Sequence, residues 1–225
     1  MSTREAAAIR AVLENELTWR RDEIRHLRNL FTSAKIEADA VRRRALLVML
    51  YAHLEGFAKF SLEQYAIVIN NAQVQIMHLK PQLYAACLVD RFKNYRASEV
   101  ADPYDSSATR ARQVMKDAEL IQAIIGLQGQ IATIDARSVA SADSNLSASV
   151  LRRNLALLAL DESDFHQFTS TMDGLLKLRN NIAHGERATL PSDPAFLKLE
   201  GRIFGLCETL MREIYQSVRD ETYLR

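Results

Sequence analysis

Residues 34–71 read as a single, very long helix, and that run constrains the fold more than any other feature of the chain. Between Leu46 and Val68, the apolar residues Leu46, Met49, Leu50, Phe57, Phe60, Ile67 and Val68 share one face at about 100° per residue. A helix of that length can hide such a face only against other long elements. The chain has 225 residues but only seven glycines and four prolines, too few turn-formers for a sheet protein of this size. The expected fold is therefore all-α, a single domain built as a bundle of long helices.

The remaining elements follow from the same reading. Residues 3–31 show helical periodicity, with Trp19, Ile24, Leu27, Leu30 and Phe31 set among many charges, so much of this helix is expected to face solvent. Pro81 suits the first turn of a third helix over 81–96. Ala101-Asp-Pro-Tyr-Asp-Ser-Ser reads as a loop, with a helix over 107–125 behind it. The stretch 126–148, rich in Gly, Ser, Ala and Asp, reads as a loop or a short helix with connectors. Leu151–Leu160 is another apolar helix, and Asp161-Glu-Ser-Asp offers N-cap chemistry to one over 163–184 that Gly185 stops. Ala188–Pro194 reads as a loop, and Pro194 to Tyr223 as the closing helix. There is no internal repeat and no strand pattern.

Composition excludes several classes of function. A hydrophobic share of 48% supports a packed core rather than disorder. Lys and Arg number 29 against 28 Asp and Glu, a balance that neither demands nor excludes nucleic acid, because a groove can be basic on a neutral protein. Cys87 and Cys207 lie far apart in apolar helical contexts, as buried free thiols in a reducing compartment would. The start carries no signal-peptide pattern, and no apolar stretch reads as reaching the ~20 residues of a membrane span. The expected location is the cytoplasm. His26, His53, His78, His166 and His184 are scattered, without zinc-ligand spacing, and no phosphate-binding Gly loop, HExxH or GxSxG is present. No metal and no cofactor is expected.

Chemistry concentrates in Arg179-Asn180-Asn181-Ile182-Ala183-His184, followed by Gly185. With Leu175 at the origin of a helical wheel, Phe168, Met172, Leu178 and Ile182 complete an apolar stripe, and Arg179 falls inside it at about 40°. Asn180 and His184 form an i,i+4 pair on a flank. An Arg at a core position needs a partner, because an unpaired buried guanidinium is costly. A carboxylate, a second subunit or a bound phosphate would serve, and the planar fork of Arg suits phosphate. The plain alternative is a helix end, where Arg and His satisfy the last carbonyls and complement the dipole.

The Arg-x4-His pattern, with Asn180 directly after the arginine, resembles the R-x4-6-H signature of the HEPN superfamily. A second stretch agrees. Tyr51-Ala-His-Leu-Glu-Gly-Phe-Ala-Lys59 is similar to the Tyr-Ala-x-x-Glu-Gly-x-x-Lys run of the MAE-like and RiboL-PSP-like HEPN branch, with Leu54 in place of a larger aromatic. The resemblance covers residues 35–220, with an inserted region over 97–148. It implies a helical bundle that dimerises so that two Arg-His helices face each other and cut RNA without a metal. The ribose 2′-OH would attack the neighbouring phosphate, leaving a 2′,3′-cyclic phosphate and a 5′-OH. His184 would move protons, Arg179 would hold the phosphate, and Asn180 would orient His184 or the phosphate. Such proteins act as toxins or antiphage effectors, often restrained by an antitoxin protein. A non-catalytic HEPN module that binds RNA, a nucleotide or a partner protein is the alternative, and a purely structural helical protein the next.

Further candidates surround this motif. Glu55 either forms a solvated ion pair with Lys59, or is a polar residue that completes the groove or orients Arg179. Asn181 is a supporting candidate by its place in the motif, and His53 is either a hydrogen-bonded core histidine or a member of the site. Arg20-Arg21, Arg42-Arg43-Arg44 and Arg152-Arg153 are either solvated helix faces or guides for RNA. Tyr51, Phe57 and Phe60 read as core.

Overall fold

A computed structural model describes residues 3–30, 36–97, 106–141, 145–186 and 189–225. Helices α1 (Thr3–Leu30) and α2 (Ile36–Asn71) lead into α3 (Pro81–Cys87), α4 (Val89–Ala97) and α5 (Ser106–Leu127). A short α6 (Ala136–Val139) and α7 (Ala148–Leu157) precede α8 (Thr169–Ala183) and the closing α9 (Asp193–Arg219). Among the described residues, β structure is limited to two isolated bridges, Gln75 with Ile131 and Leu79 with Leu224. The fold is all-α.

Helix α2 runs through the middle, packed against α1, α9, α8, α7 and α6. That position explains why its buried surface is wider than the stripe read from the sequence. Leu47, Tyr51, Leu54, Ala58, Leu62 and Tyr65 are all buried, whereas Ile67 is 39% exposed and Met49, Phe60 and Val68 are only partly covered. A helix enclosed on several sides has no single apolar face, so averaging at 100° per residue picks the wrong members at the edges. The expectation that no stretch matches a membrane span is also corrected: Ala40–Asn71 is long and apolar enough by length and composition. Its apolarity serves the bundle's core, since 56% of that window is buried inside the protein.

Helix α1 differs from expectation in which side it buries. Its seam is Ala6, Ile9, Leu13, Leu17 and Ile24, while Trp19 is 46% exposed. Arg20 takes the slot three residues after Leu17 and four before Ile24, so a cation stands inside an apolar seam. Phe31 lies outside the described residues.

The expected third helix breaks at Leu88 (φ −112°, ψ 12°), where the Leu88 N–H reaches back three residues to Ala85 O and separates α3 from α4. The loop expected at 101–107 lies outside the described residues up to 105, and Ser106 already begins α5. Helix α4 packs on α5, and neither fully buries a described side chain. The weak stretch after 126 is held firmly. The Asn70 side chain donates to Ile134 O at 2.9 Å and accepts from Ile134 N–H at 2.8 Å, while Asp135 caps α6 through the N–H groups of Arg137 and Ser138. Residues 142–144 of that stretch, and 187–188 of the loop expected before α9, lie outside the described residues. The helix expected over 163–184 begins as a tight 3₁₀ segment, Ser163–Phe168, started by Asp161, whose carboxylate accepts from the Ser163 N–H and hydroxyl at 2.9 Å each.

Cys207 is fully buried and Cys87 half-buried, and both are free thiols. Burial pushes the Cys207 thiol up to about 12 and raises that of Cys87 as well.

Candidate functional site

The end of α8 is built by its own backbone. His184 is the C-cap and donates its N–H to Asn180 O at 2.9 Å. Gly185 then turns the chain at φ +76°, with its N–H on Ile182 O at 3.1 Å and that of Glu186 on Asn181 O at 2.9 Å. This is a Schellman closure, and its positive φ is why glycine stands there. The carbonyls of Asn180, Asn181 and Ile182 are thus satisfied by backbone donors. The Arg179 and His184 side chains are not spent on them, which removes the main content of the helix-end alternative.

Arg179 is half-buried, as its place in the apolar stripe implies. Its Nη1 donates to Asn145 Oδ1 at 2.8 Å and to Asn180 Oδ1 at 2.9 Å. Its guanidinium carbon lies over the Tyr51 ring, 5.0 Å from the centroid. These partners are two amide oxygens and a π face. Among the described residues no carboxylate pairs with Arg179, and its Nε and Nη2 make no hydrogen bond and stay in contact with solvent. The guanidinium is therefore fixed along one edge and open along the other.

Tyr51 connects this arginine to α2. Its ring is 1% exposed, and its hydroxyl accepts the Leu146 N–H at 2.6 Å. Burial, followed by the negative charge of Glu55 one turn along, pushes the phenol up to about 12, against the opposing pull of the Leu146 N–H and Arg179. Glu55 is half-buried against Tyr51 and forms no ion pair with Lys59 among the described residues. It adjoins the site through Tyr51, with no direct bond to Arg179.

The other expected site residues part company. His184 is exposed, and its imidazole has no hydrogen bond or ion pair among the described residues. The Asn180 amide serves Arg179 and not His184. Asn181 contributes its carbonyl to the helix closure, and its side chain has no partner among the described residues. His53 does not join the site. It points to α1, with Nδ1 3.4 Å from Arg20 Nη1 and its ring edge-on to Trp19 at 5.4 Å. Its Nε2 is 3.0 Å from Glu23 Oε2, at an angle that makes no hydrogen bond. Burial lowers its pKa, with the Arg20 cation adding to the effect.

The basic runs turn out to be fasteners. Arg42 holds both Asp193 carboxylate oxygens at 2.7 and 2.8 Å, Arg43 donates to Pro191 O at 3.2 Å, and Arg44 donates to Glu186 O at 3.1 Å. Together they tie the chain after His184 to α2. Arg20 and Arg21 pair with Glu16 and Glu208, while Arg152 and Arg153 bond Thr169, Asn154 and Ser141. Asn145 is the site residue that sequence reasoning missed. It lies in the weakest-patterned stretch, 34 positions from Arg179, and no local spacing connects the two.

The bundle thus carries the Arg179-to-His184 run at the end of α8, packed against the central α2 with its Glu55-Gly56 pair. The model of the HEPN_MAE_28990-like HEPN family matches residues 9–223, and the chain belongs to that family. No curated protein and no solved structure matches it.

Proposed function

We propose that this protein is a metal-independent endoribonuclease of the HEPN type, working in the cytoplasm as a toxin or antiphage effector. One observation carries the reading. Among the described residues, Arg179 presents a half-buried guanidinium with no carboxylate partner and one edge open, and the same helix ends in the exposed, unpartnered imidazole of His184. An open guanidinium edge can bind two non-bridging oxygens of a phosphodiester and stabilise the charge that grows on them. An imidazole exchanges protons near neutrality. In the reaction, the ribose 2′-oxygen gives up its proton and bonds to the adjacent phosphorus, and the bond from phosphorus to the 5′-oxygen breaks. That leaving oxygen takes up a proton, and the ends are a 2′,3′-cyclic phosphate and a 5′-OH. His184 handles a proton, Arg179 holds the phosphate, Asn180 steadies Arg179, and Glu55 acts through Tyr51.

A homodimer that sets two α8 ends face to face would complete the groove, and an antitoxin protein would restrain it. Incubation with mixed cellular RNA in excess EDTA, beside the His184→Ala protein, tests the activity. Cleavage by the wild type alone, with cyclic phosphate ends, is the expected result. Light scattering checks assembly, and a strict monomer at micromolar concentration would count against a shared groove. One observation favours a second reading, a module that binds RNA, a nucleotide or a partner protein without cutting: among the described residues no group orients the His184 ring. Under that reading the wild type binds but never cleaves, and Arg179→Ala abolishes binding.

A further inference from the structure

We infer that Asn145 is a positioning residue for Arg179, a neutral clamp that fixes one edge of the guanidinium so that the other stays charged and open to an oxyanion. The inference rests on the reading of Arg179 as the phosphate-binding group.

The clamp is itself held rigidly. The Leu146 N–H bonds the buried Tyr51 hydroxyl at 2.6 Å, and the Ala148 N–H bonds Asp173 Oδ1 at 3.1 Å. Between them Ser147 caps α7 by accepting the Val150 N–H at 3.2 Å. Asn145 is therefore presented by a segment anchored to α2 and to α8 itself, one residue from the first tie and three from the second. The floor of the guanidinium, Tyr51, is the same side chain that anchors this segment. Loss of either element would let the arginine swing.

The chemistry of the partner matters as much as its place. Three other buried or half-buried arginines are pinned by carboxylates: Arg20 by Glu16, Arg28 by Glu200 and Arg42 by Asp193. A carboxylate satisfies the geometry and also cancels the charge. Asn145 and Asn180 each offer an acceptor of similar shape with no net charge, and both oxygens meet Nη1. The Nε and Nη2 edge, which is suited to parallel bonds with an oxyanion, is left to a ligand.

The test uses the near-isosteric Asn145→Asp and the truncating Asn145→Ala in the full chain. Each is followed by thermal unfolding, by RNA cleavage, and by the Arg179 Nε–H NMR signal during titration with a 2′-O-methyl oligonucleotide. The oligonucleotide binds but cannot be cut, because its 2′-oxygen carries no proton. Asn145→Asp is expected to lose about 100-fold in cleavage and to blunt the Arg179 response, with a melting temperature at or above that of the wild type. Asn145→Ala is expected to lose about 10-fold, mainly in kcat, because the donor remains but wanders. Variants that bind and cleave like the wild type overturn the clamp and leave the ribonuclease reading standing. An Arg179 signal that responds in the wild type, fails in Asn145→Asp and accompanies no cleavage supports the clamp and removes the ribonuclease. A wild-type Arg179 signal that ignores the oligonucleotide overturns the inference whatever the cleavage result.

Discussion

Arg20 and Arg179 occupy equivalent situations in two different helices. Each stands in an apolar seam, and each lies over an aromatic ring, Trp19 at 4.5 Å and Tyr51 at 5.0 Å. Arg20 then meets Glu16 Oε1 through Nε at 3.1 Å and Nη2 at 2.5 Å, and it packs over Gly56, where a Cβ would come within 2.7 Å of Nη1. Among the described residues, the hydrogen-bond partners of Arg179 are amide oxygens and not carboxylates. A buried cation with a carboxylate is a structural joint, because its charge is already answered. A buried cation without one keeps a field that an incoming anion can feel. Burial and motif alone do not separate the two; the chemistry of the partner does.

The largest expected difference is functional. Arg179→Ala and His184→Ala should each cut cleavage by about 10²–10³-fold while the melting temperature holds. Arg20→Ala should do the reverse, destabilising by about 1–3 kcal/mol through the stranded Glu16 while RNA cleavage persists. Chemical denaturation beside a cleavage assay reads both. If Arg20→Ala kills cleavage in a folded protein, the division between joint and site is wrong.

Smaller effects sharpen the comparison. Gly185→Ala forces a Cβ into the left-handed region and should cost about 1–2 kcal/mol, seen as a lower denaturant midpoint, with weaker cleavage because His184 loses its fixed backbone. Gly56→Ala should cost stability in the wild type by displacing Arg20 from Glu16. In an Arg20→Ala background the same change should instead stabilise by about 1 kcal/mol, the ordinary helix preference of Ala over Gly. A double-mutant cycle shows whether the sign changes.

The smallest effect concerns pH. His53 is faced by Arg20, Glu16 and Trp19 and lies near Glu23, and its pKa is lowered by burial. On acidification below about 6.5 the unfolded chain takes up a proton that folded His53 refuses, so stability falls until the folded group titrates too. His53→Gln should flatten the stability curve over that window, measured as the denaturant midpoint at successive pH values, and leave cleavage unchanged.

Much of this was legible along the chain because it is local. The long α2, the sparse Gly and Pro, the stop at Gly185 and the anomalous place of Arg179 all follow from periodicity and the conformational limits of single residues. Seam membership in α1 and α2 was less legible, since Trp19 and Ile67 fit an apolar average yet face solvent once the neighbouring helices take their places. His53 and Glu55 show the same limit at the site. They are two residues apart on one helix and so point to different sides, one to α1 and the other beside Tyr51.

The sequence by itself determined that the chain would be helical, where its critical helix would end, and that a cation would stand in that helix's apolar stripe. Hydrogen-bonding demands and backbone limits act over a few residues, and a linear string records them. Only the tertiary structure decided what that cation would meet. Asn145 reaches Arg179 because Leu146 bonds Tyr51 and Ala148 bonds Asp173, contacts that span 95 and 25 positions along the chain. Partners so far apart are chosen by packing, and packing is set by the whole core at once.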